Sequence, residues 1–302
     1  MSTPTDHAAA SNAPVQSVWG GAYGTVTIGA VALIFLAAMQ SLAVTTVMPI
    51  VSDELNGAAL YAVAFSGTLA TSVIGMVAAG AWSDRSSPLK PLTAAVVLFV
   101  IGLVIAGMAA TMPTLVIGRL IQGLGVGGQT VSLYVVVARV YPAALHGRVF
   151  AAFSAAWVVP SLIGPFLAGA VTEYLHWRWV FLGVAGLTVV AFVMVYTRLA
   201  GRDLHTDEPA GGGTAARLGL AVAVALGALT LSLAGEFGAW APVVVVASVL
   251  VIAIAVRPLL PRRALRAGRG LPSVVLMRGF FVDDPSAAEI YTPYLLIDDY
   301  DF

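Results

Sequence analysis

The residues best suited to chemistry are the few charged and polar side chains that interrupt long apolar runs. The segment 80–91 places the acid Asp84 and the bases Arg85 and Lys90 close together, just after Gly80. Such charges can pair with one another or with the ends of neighbouring helices, and exposed ionic contacts are easily broken and remade. We therefore expect a conformational switch in this loop, although Arg85 and Lys90 would also serve as simple membrane-surface anchors.

A second candidate lies in a later apolar run, where Arg119 is followed by Gln122 and Gly123. Residues three apart lie on the same face of a helix, so the guanidinium of Arg119 and the amide of Gln122 are expected on one side of the span. An ionisable residue within a membrane span is costly and marks a candidate functional site. The simpler interpretation is that Arg119 snorkels to the interface, because Pro113 places the start of the helix about one to two turns away.

A third candidate is the stretch that contains Pro160, Gly164, Pro165 and Gly169. Proline removes a helix hydrogen bond and bends the helix, and glycine lets a neighbouring helix come close. The pattern predicts a kinked helix that packs tightly against another span. A purely structural kink would produce the same pattern.

The run 123–128 fits the pattern G-x-G-x-x-G. A dinucleotide site would need a strand before this pattern and a soluble helix after it, and the sequence predicts neither. We interpret these glycines as a thin helix surface that allows close packing between spans.

Composition identifies the elements that must carry these residues. The chain has 302 residues, of which 59% are hydrophobic and 10% charged, with a mean hydropathy of +0.94. Soluble domains carry about 25% charged residues, so the sequence predicts an integral membrane protein. Runs such as 243–246, all valine, do not alternate as the strands of a membrane barrel would. We predict nine helical spans, at about 26–50, 60–82, 91–111, 114–138, 149–172, 178–198, 217–235, 240–257 and 271–297.

The distribution of Lys and Arg predicts the orientation of these spans. One set of loops holds twelve bases, whereas the alternate set holds only Arg178. The twelve are Arg85, Lys90, Arg139, Arg148, Arg198, Arg202, Arg217, Arg257, Arg262, Arg263, Arg266 and Arg269. The basic loops are therefore expected in the cytoplasm, with the N-terminus on the same side. Trp177 and Trp179, which flank Arg178, are interpreted as an interfacial aromatic belt.

Two of the motifs resemble signatures of the major facilitator superfamily. The switch loop is similar to G-x-x-x-D-R-x-G-R-[RK], which lies between spans two and three, with Ser87 in place of the second glycine. The span-four motif is similar to R-x-x-Q-G of the same superfamily. The matching residues are Gly80, Asp84, Arg85, Arg119, Gln122 and Gly123.

The span-five stretch resembles the antiporter motif G-P-x-x-G-G, with Ala168 in place of one closing glycine. On these motifs the chain is identified as a member of the drug:proton antiporter family, in its fourteen-span branch. The resemblance implies an all-α membrane protein: a six-span N-terminal major-facilitator bundle, an additional two-span hairpin and the start of a second half. It also implies a transporter that exports small amphipathic or drug-like molecules in exchange for protons. An uptake symporter is the alternative that the span-five motif disfavours.

The expected domains follow the spans and the glycine-rich linker between the sixth and seventh. They are a disordered cytoplasmic tail (1–23), the N-terminal bundle (24–198), a cytoplasmic linker (199–216), the hairpin (217–257) and the start of the C-terminal half (258–302). Because a full member of this branch has further spans, we expect a truncated chain. The alternative function is therefore an inactive fragment, or a half that needs a separate C-terminal partner.

The resemblance also implies site residues. It assigns proton coupling to Arg119. Members often carry an acid in span one, where this chain has Gln40, so the remaining carboxylates are those of the ninth span. These are Asp283, Asp284 and Glu289. The substrate cavity is expected between spans one and four, with Gln40, Thr45 and Gln122 as its lining candidates.

Other classes of function have little support in the sequence. No nucleophile, base and acid cluster at a plausible spacing, so we expect no enzyme activity. With no cysteine and four scattered histidines, we expect neither a metal site nor a cofactor. The expected partners are the lipid bilayer, protons and a small-molecule substrate, without nucleic acid. The expected location is the plasma (inner) membrane.

Overall fold

The structure is a computed structural model that describes residues 17–259, apart from residues 22, 203 and 205–213. In this part of the chain, eight helices are long and apolar enough to cross a membrane. They are α1 (Gly24–Glu54), α2 (Tyr61–Ser83), α3 (Leu89–Gly107), α4 (Met112–Val140), α5 (Ala143–Tyr174), α6 (Arg178–Leu199), α7 (Thr214–Ser232) and α8 (Ala241–Val256). Short 3-10 turns at Ala58–Leu60, Ala234–Trp240 and Arg257–Leu259 adjoin α2 and α8. The described residues form no strand.

These helices confirm the predicted all-α membrane fold, and each of the first eight predicted spans corresponds to one of them. The helix α5 begins at Ala143, earlier than predicted, directly after Pro142. Proline is well tolerated at a helix start because the missing N–H has no partner there. The ninth predicted span lies outside the described residues, and so do its acids Asp283, Asp284 and Glu289. Most of the predicted N-terminal tail and of the linker 199–216 also lies outside them.

The helices pack in two groups that α3 joins. The helix α1 packs against α5 and α6, and α4 lies between α2 and α3. The helix α3 also contacts α6, which closes the six-helix bundle. The hairpin formed by α7 and α8 docks onto the bundle through contacts between α7 and α2.

Glycines allow α4 to lie against the backbones of both neighbours. A Cβ atom at Gly127 would overlap the carbonyl oxygen of Ser72 in α2. A Cβ atom at Gly125 would overlap the backbone of Phe99 in α3. The run 123–128 is therefore a packing surface, which confirms the interpretation made from the sequence and excludes a dinucleotide loop there.

Replacing Gly127 with valine should force α4 away from α2. Overpacking a tight contact costs about 1–3 kcal/mol, and here the atom that must move belongs to the backbone. We expect a lower midpoint of thermal unfolding in detergent. The matched control is Gly183→Val in α6, because a Cβ atom at Gly183 would meet nothing within 4 Å. Equal losses in the two variants would show that close approach is not the cause.

Successive helices run in opposite directions, so charged residues gather at two ends of the bundle. The end that we call the basic end carries the α2–α3 loop, the α4–α5 connection and the end of α6. The described bases at this end are Arg85, Lys90, Arg139, Arg148, Arg198, Arg202, Arg217 and Arg257. The opposite end carries Asp53, Glu54, Glu173 and Arg178.

Candidate functional site

Arg119 lies in the second turn of α4 and is 3% exposed. Its Nε atom donates a hydrogen bond to the carbonyl oxygen of Ala64 in α2 at 3.1 Å. Its Nη1 atom donates to Oε1 of Gln122, one turn further along α4, at 2.8 Å. The side chain thus turns into the bundle rather than snorkelling to the interface, and it bonds Gln122, which lies on the same helix face.

Two threonines of α2 fix the turn of α4 that carries Arg119. The hydroxyl of Thr68 donates to the carbonyl oxygen of Arg119 at 3.2 Å. The hydroxyl of Thr71 donates to the carbonyl oxygen of Leu120 at 2.8 Å. Hydrogen bonds of this kind join helices within a membrane, where water does not compete. The guanidinium is therefore held in place through both its side chain and its backbone.

Gln40 lies at the same depth as the Arg119–Gln122 pair. Nε2 of Gln129 in α4 donates to the carbonyl oxygen of Leu33 in α1 at 2.9 Å, which sets the register of the two antiparallel helices. Gln40 follows Leu33 by seven residues, and Gln122 precedes Gln129 by seven. Because seven residues make about two helical turns, Gln40 and Gln122 lie at about the same level.

The amide of Gln40 is fully buried, and among the residues that the structure describes neither its oxygen nor its nitrogen has a hydrogen-bond partner. Such a group costs free energy unless something else satisfies it. Thr45, the third predicted cavity residue, differs. It is exposed, its hydroxyl donates to the carbonyl oxygen of Leu42 at 2.6 Å, and it lies about 140° around the helix from Gln40. The structure thus pairs Arg119 with Gln122 and places Gln40 at the same level of the bundle, whereas Thr45 faces another direction.

The switch loop lies at the basic end, where its charged residues are exposed. Asp84 is the C-terminal cap of α2, and within the described part of the chain its carboxylate forms no ion pair. Gly80 and Asp84 line a groove of about 480 Å³ between α2 and the hairpin, and Arg217 of α7 lies in the same groove. Nη2 of Arg85 donates to the hydroxyl of Thr214, the first residue of α7, at 2.6 Å. Lys90, also exposed, lies in the first turn of α3.

Arg139, in the last turn of α4, organises this loop and was counted in the sequence only as a loop cation. Nη2 donates to the carbonyl oxygen of Ser83 at 2.7 Å, and Nη1 to that of Ser86 at 3.2 Å. Nη1 also donates to the carbonyl oxygen of Leu204 at 2.8 Å. Carbonyls at the end of a helix lack partners within it. A basic residue in the last turn of α4 signals a cap for α4 itself, and not this contact with the end of α2.

The predicted antiporter motif lies within α5, which runs as one helix through Pro160 and Pro165. A Cβ atom at Gly164 would lie 3.3 Å from the sulfur of Met39 in α1, so this glycine does allow close packing. A Cβ atom at Gly169 would meet nothing within 4 Å. In the described structure the tight contact is therefore confined to the Gly164 turn.

At the opposite end of the bundle, Glu54 joins α1 to the start of α6. Nε1 of Trp177 donates to Oε2 of Glu54 at 2.7 Å, and Nη2 of Arg178 lies 3.6 Å from Oε1. Trp177 is 1% exposed, so it is not a lipid-facing belt residue as the sequence suggested. Its hydrogen bond to Glu54 explains why the indole turns inward. Trp179 is 54% exposed and fits the expected interfacial position.

Arg178 also reaches the turn between α3 and α4. Its Nη1 atom donates to the carbonyl oxygens of Gly107 and Ala109, at 3.2 and 2.6 Å. Its guanidinium carbon lies 4.5 Å from the centre of the Trp177 ring, a favourable cation–π distance. One arginine thus ties the ends of α1, α3 and α6 together.

Replacing Glu54 with alanine should lower the free energy of unfolding by about 1 kcal/mol, because the buried Trp177 N–H loses its acceptor. The effect is modest because the Glu54 side chain is 41% exposed and water competes there. Glu54→Gln keeps an acceptor and should retain most of the stability. Unfolding in detergent measures both variants, and Asp53→Ala, an exposed neighbour, is the control. An equal loss in Asp53→Ala would contradict the prediction.

Eight apolar helices in the described chain, with a buried cation and buried amides inside the bundle of the first six, define a multi-pass membrane protein. A family model described as the Major Facilitator Superfamily matches residues 30–288. The chain therefore belongs to the Major Facilitator Superfamily, whose members are carriers rather than enzymes.

Several transporters are similar to this chain over about half of its length. An uncharacterized MFS-type transporter of Mycobacterium tuberculosis H37Rv is 33% identical over 52% of this chain and 24% of its own length. The multidrug efflux pump SdrM of Staphylococcus aureus N315 is 26% identical over 56% of this chain and 38% of its own. The efflux transporter aclA of Aspergillus oryzae is 32% identical over 53% and 30%. The match thus spans well under two thirds of each relative.

A solved structure of the proton:xylose symporter XylE, bound to 6-bromo-6-deoxy-D-glucose, has a similar fold. The TM-score is 0.51 at 17% identity, with 83% of this chain and 57% of XylE covered. This similarity supports the fold alone. The comparisons give no support to a separate C-terminal half, which the sequence had suggested as an alternative partner.

Proposed function

We propose that this chain works in a proton-coupled exporter of small amphipathic or drug-like molecules, of the fourteen-span branch of drug:proton antiporters. Transport would occur by alternating access, in which two halves rock around a site near the membrane centre. In this proposal, residues 24–198 form the N-terminal bundle, 199–216 the linker and 217–257 an additional hairpin. Residues 258–302 begin the second half.

The observation that carries this proposal is the burial of Arg119 among neutral groups. Among the described residues, two groups accept hydrogen bonds from its side chain, the carbonyl of Ala64 and the amide of Gln122, and both are uncharged. A buried cation held only by neutral groups gains strongly when a carboxylate comes near, because each charge then offsets the desolvation of the other. Arg119 therefore favours the deprotonated form of a neighbouring carboxylate. Release of a proton at this level is the step that coupling requires.

The proton carriers in this proposal are the acids of the ninth predicted span, Asp283, Asp284 and Glu289. The described spans α1 to α6 have their acids near the helix ends, at Asp53, Glu54, Asp84 and Glu173, and none near Arg119. A carboxylate that meets Arg119 must therefore come from elsewhere in the chain.

The buried amide of Gln40 supports a substrate site at the same depth. Within the described part of the chain its donor and acceptor both lack partners, so a polar group of a substrate that entered between α1 and α4 would gain two hydrogen bonds. Export rather than uptake is supported by the relatives described as efflux proteins in S. aureus and A. oryzae.

The proposed location is the plasma membrane, with the basic end and the N-terminus in the cytoplasm. The support is electrostatic, because Lys and Arg next to spans remain on the cytoplasmic side during insertion. Among the described loops the basic end holds nearly all such residues, whereas the opposite end has only Arg178.

The test uses everted membrane vesicles from cells that express the protein and a fluorescent cationic dye. An exporter driven by protons should accumulate dye in these vesicles when their lumen is acidified, and a protonophore should abolish accumulation. Vesicles from cells without the protein provide the background. Accumulation only in right-side-out vesicles would favour an uptake symporter, and accumulation that survives the protonophore would refute proton coupling.

A further inference from the structure

We propose that Arg139 and Arg85 are positioning residues where the α7–α8 hairpin joins the six-helix bundle: Arg139 fixes the chain where it leaves α6, and Arg85 holds the start of α7. They act at the two ends of the segment that leads from α6 to α7. The hairpin then moves with this bundle as one body when the two halves rock. The last statement rests on the alternating-access function proposed above.

The first tie is formed by Arg139 and is the stronger of the two. One guanidinium donates hydrogen bonds to three backbone carbonyls: those of Ser83 and Ser86 at the switch loop, and that of Leu204 after α6. Hydrogen bonds from a charged donor are about twice as strong as neutral ones. Leu204 is also buried, at 8% exposure, so the chain enters the linker in a fixed position.

The second tie is formed by Arg85 at the other end of the linker. Its Nη2 atom donates to the hydroxyl of Thr214 at 2.6 Å, where α7 begins. This contact is exposed to solvent, so it is weaker than the Arg139 tie. Both ties nevertheless share the same anchor, because Arg85, Ser83 and Ser86 all belong to the switch loop or its border.

Direct packing continues the attachment into the membrane. In α2, a Cβ atom at Gly67 would lie 3.5 Å from Cδ2 of Leu229 in α7, so the two helices are in close contact. Within the hairpin, the hydroxyls of Thr230 in α7 and Ser248 in α8 lie 2.8 Å apart. A force applied to the switch loop therefore reaches α7 directly and α8 through this hydrogen bond.

The ties predict that the switch loop and the hairpin are mechanically linked. Any displacement of the loop that moves the carbonyl of Ser83 also moves the guanidinium that holds Leu204. The linker entrance then follows the loop rather than moving independently. The hairpin thus moves together with the N-terminal bundle and not as a separate unit.

The first test measures the distance between bundle and hairpin in the full chain. Because the chain has no cysteine, spin labels can be placed at Val97→Cys in α3 and Val246→Cys in α8, both of which are exposed. Thr214→Val should widen the distribution of label distances about twofold, because the start of α7 loses its bond to Arg85 and the hairpin gains local freedom. Arg139→Gln should widen it by less, because Arg139 bonds the chain only where it leaves α6. The exposed control Arg148→Gln should leave the distribution unchanged.

Unchanged distributions in both Arg139→Gln and Thr214→Val would overturn the ties. If the Arg139→Gln protein does not fold, the Thr214→Val variant decides, since it removes one surface hydroxyl and keeps the shape of the side chain. This measurement needs no substrate, so it tests the ties even where the proposed transport function fails.

The second test fixes the hairpin to the bundle and measures transport. Met76 in α2 and Leu259 after α8 line the same groove, so a flexible bifunctional thiol reagent can join them in a Met76→Cys/Leu259→Cys variant. If the hairpin moves with the bundle, the cross-linked protein keeps the transport rate of the unlinked variant. A loss on cross-linking that reduction restores would overturn the one-body inference. A variant inactive even before cross-linking would count against the proposed function, and the label distances would then decide the ties alone.

Discussion

Replacing Arg119 with alanine is expected to abolish proton-driven transport, with at least a tenfold fall in the initial rate of dye accumulation. The substitution removes the buried cation that favours a deprotonated carboxylate, and tenfold corresponds to about 1.4 kcal/mol of lost stabilisation. It also frees the amide of Gln122 and the carbonyl of Ala64. Transport driven by an imposed pH gradient in proteoliposomes measures the effect.

Two further variants separate charge from shape in this prediction. Arg119→Lys keeps the positive charge but loses the planar fork that bonds Ala64 and Gln122 together, so we expect partial activity. Arg148→Ala removes an exposed charge from the basic end and should leave transport unchanged. Gradient-driven transport by Arg119→Ala at the rate of the parent protein would refute the coupling role, provided that the variant remains monodisperse in detergent.

Replacing Gln40 with leucine is expected to stabilise the protein while it impairs transport. The parent protein buries an amide whose oxygen and nitrogen both lack partners in the described structure, and such unsatisfied groups cost about 1–3 kcal/mol. Leucine has a similar size and no polar atom, so the midpoint of thermal unfolding should rise. If the amide serves a substrate, the rate of transport should fall in the same variant. Opposite changes of this kind are typical of functional sites.

Gln129→Leu is the matched control for this prediction. Gln129 lies on the adjoining face of α4 and is equally buried, but its Nε2 atom is bonded to the carbonyl of Leu33. Losing that bond between α1 and α4 should offset the gain from removing Oε1 of Gln129, which also has no partner among the described residues, so the midpoint should not rise. A fall of equal size in both variants would contradict the claim that Gln40 is unsatisfied in the resting protein.

Hydropathy predicted the helices well because a span must be apolar over its whole length, whichever neighbours it acquires. The burial of Arg119 could also be predicted from the sequence. A costly charge in a span needs a partner, and Gln122 lay three residues away on the same face. Both features depend on local sequence.

The roles of Arg139 and Trp177 could not be predicted in this way. Arg139 binds carbonyls that are 53, 56 and 65 residues away, and Trp177 binds an acid 123 residues away. From sequence alone each looked like an ordinary residue of the membrane interface. At Gly169 the sequence was misleading in the opposite way. The motif suggested tight packing, but a Cβ atom there would meet no neighbour within the described residues.

The capture of two carbonyls by Arg178 bears on the order in which the protein is completed during synthesis. The turn after α3 leaves the carbonyls of Gly107 and Ala109 to a side chain made 71 and 69 residues later. Helix ends that lack partners are weak points until something caps them. The two carbonyls of the α3–α4 turn therefore lack this partner until the ribosome has made Arg178 and the sixth helix has entered the membrane. A nascent chain halted before Arg178 would carry this turn unfinished, in reach of quality-control proteases.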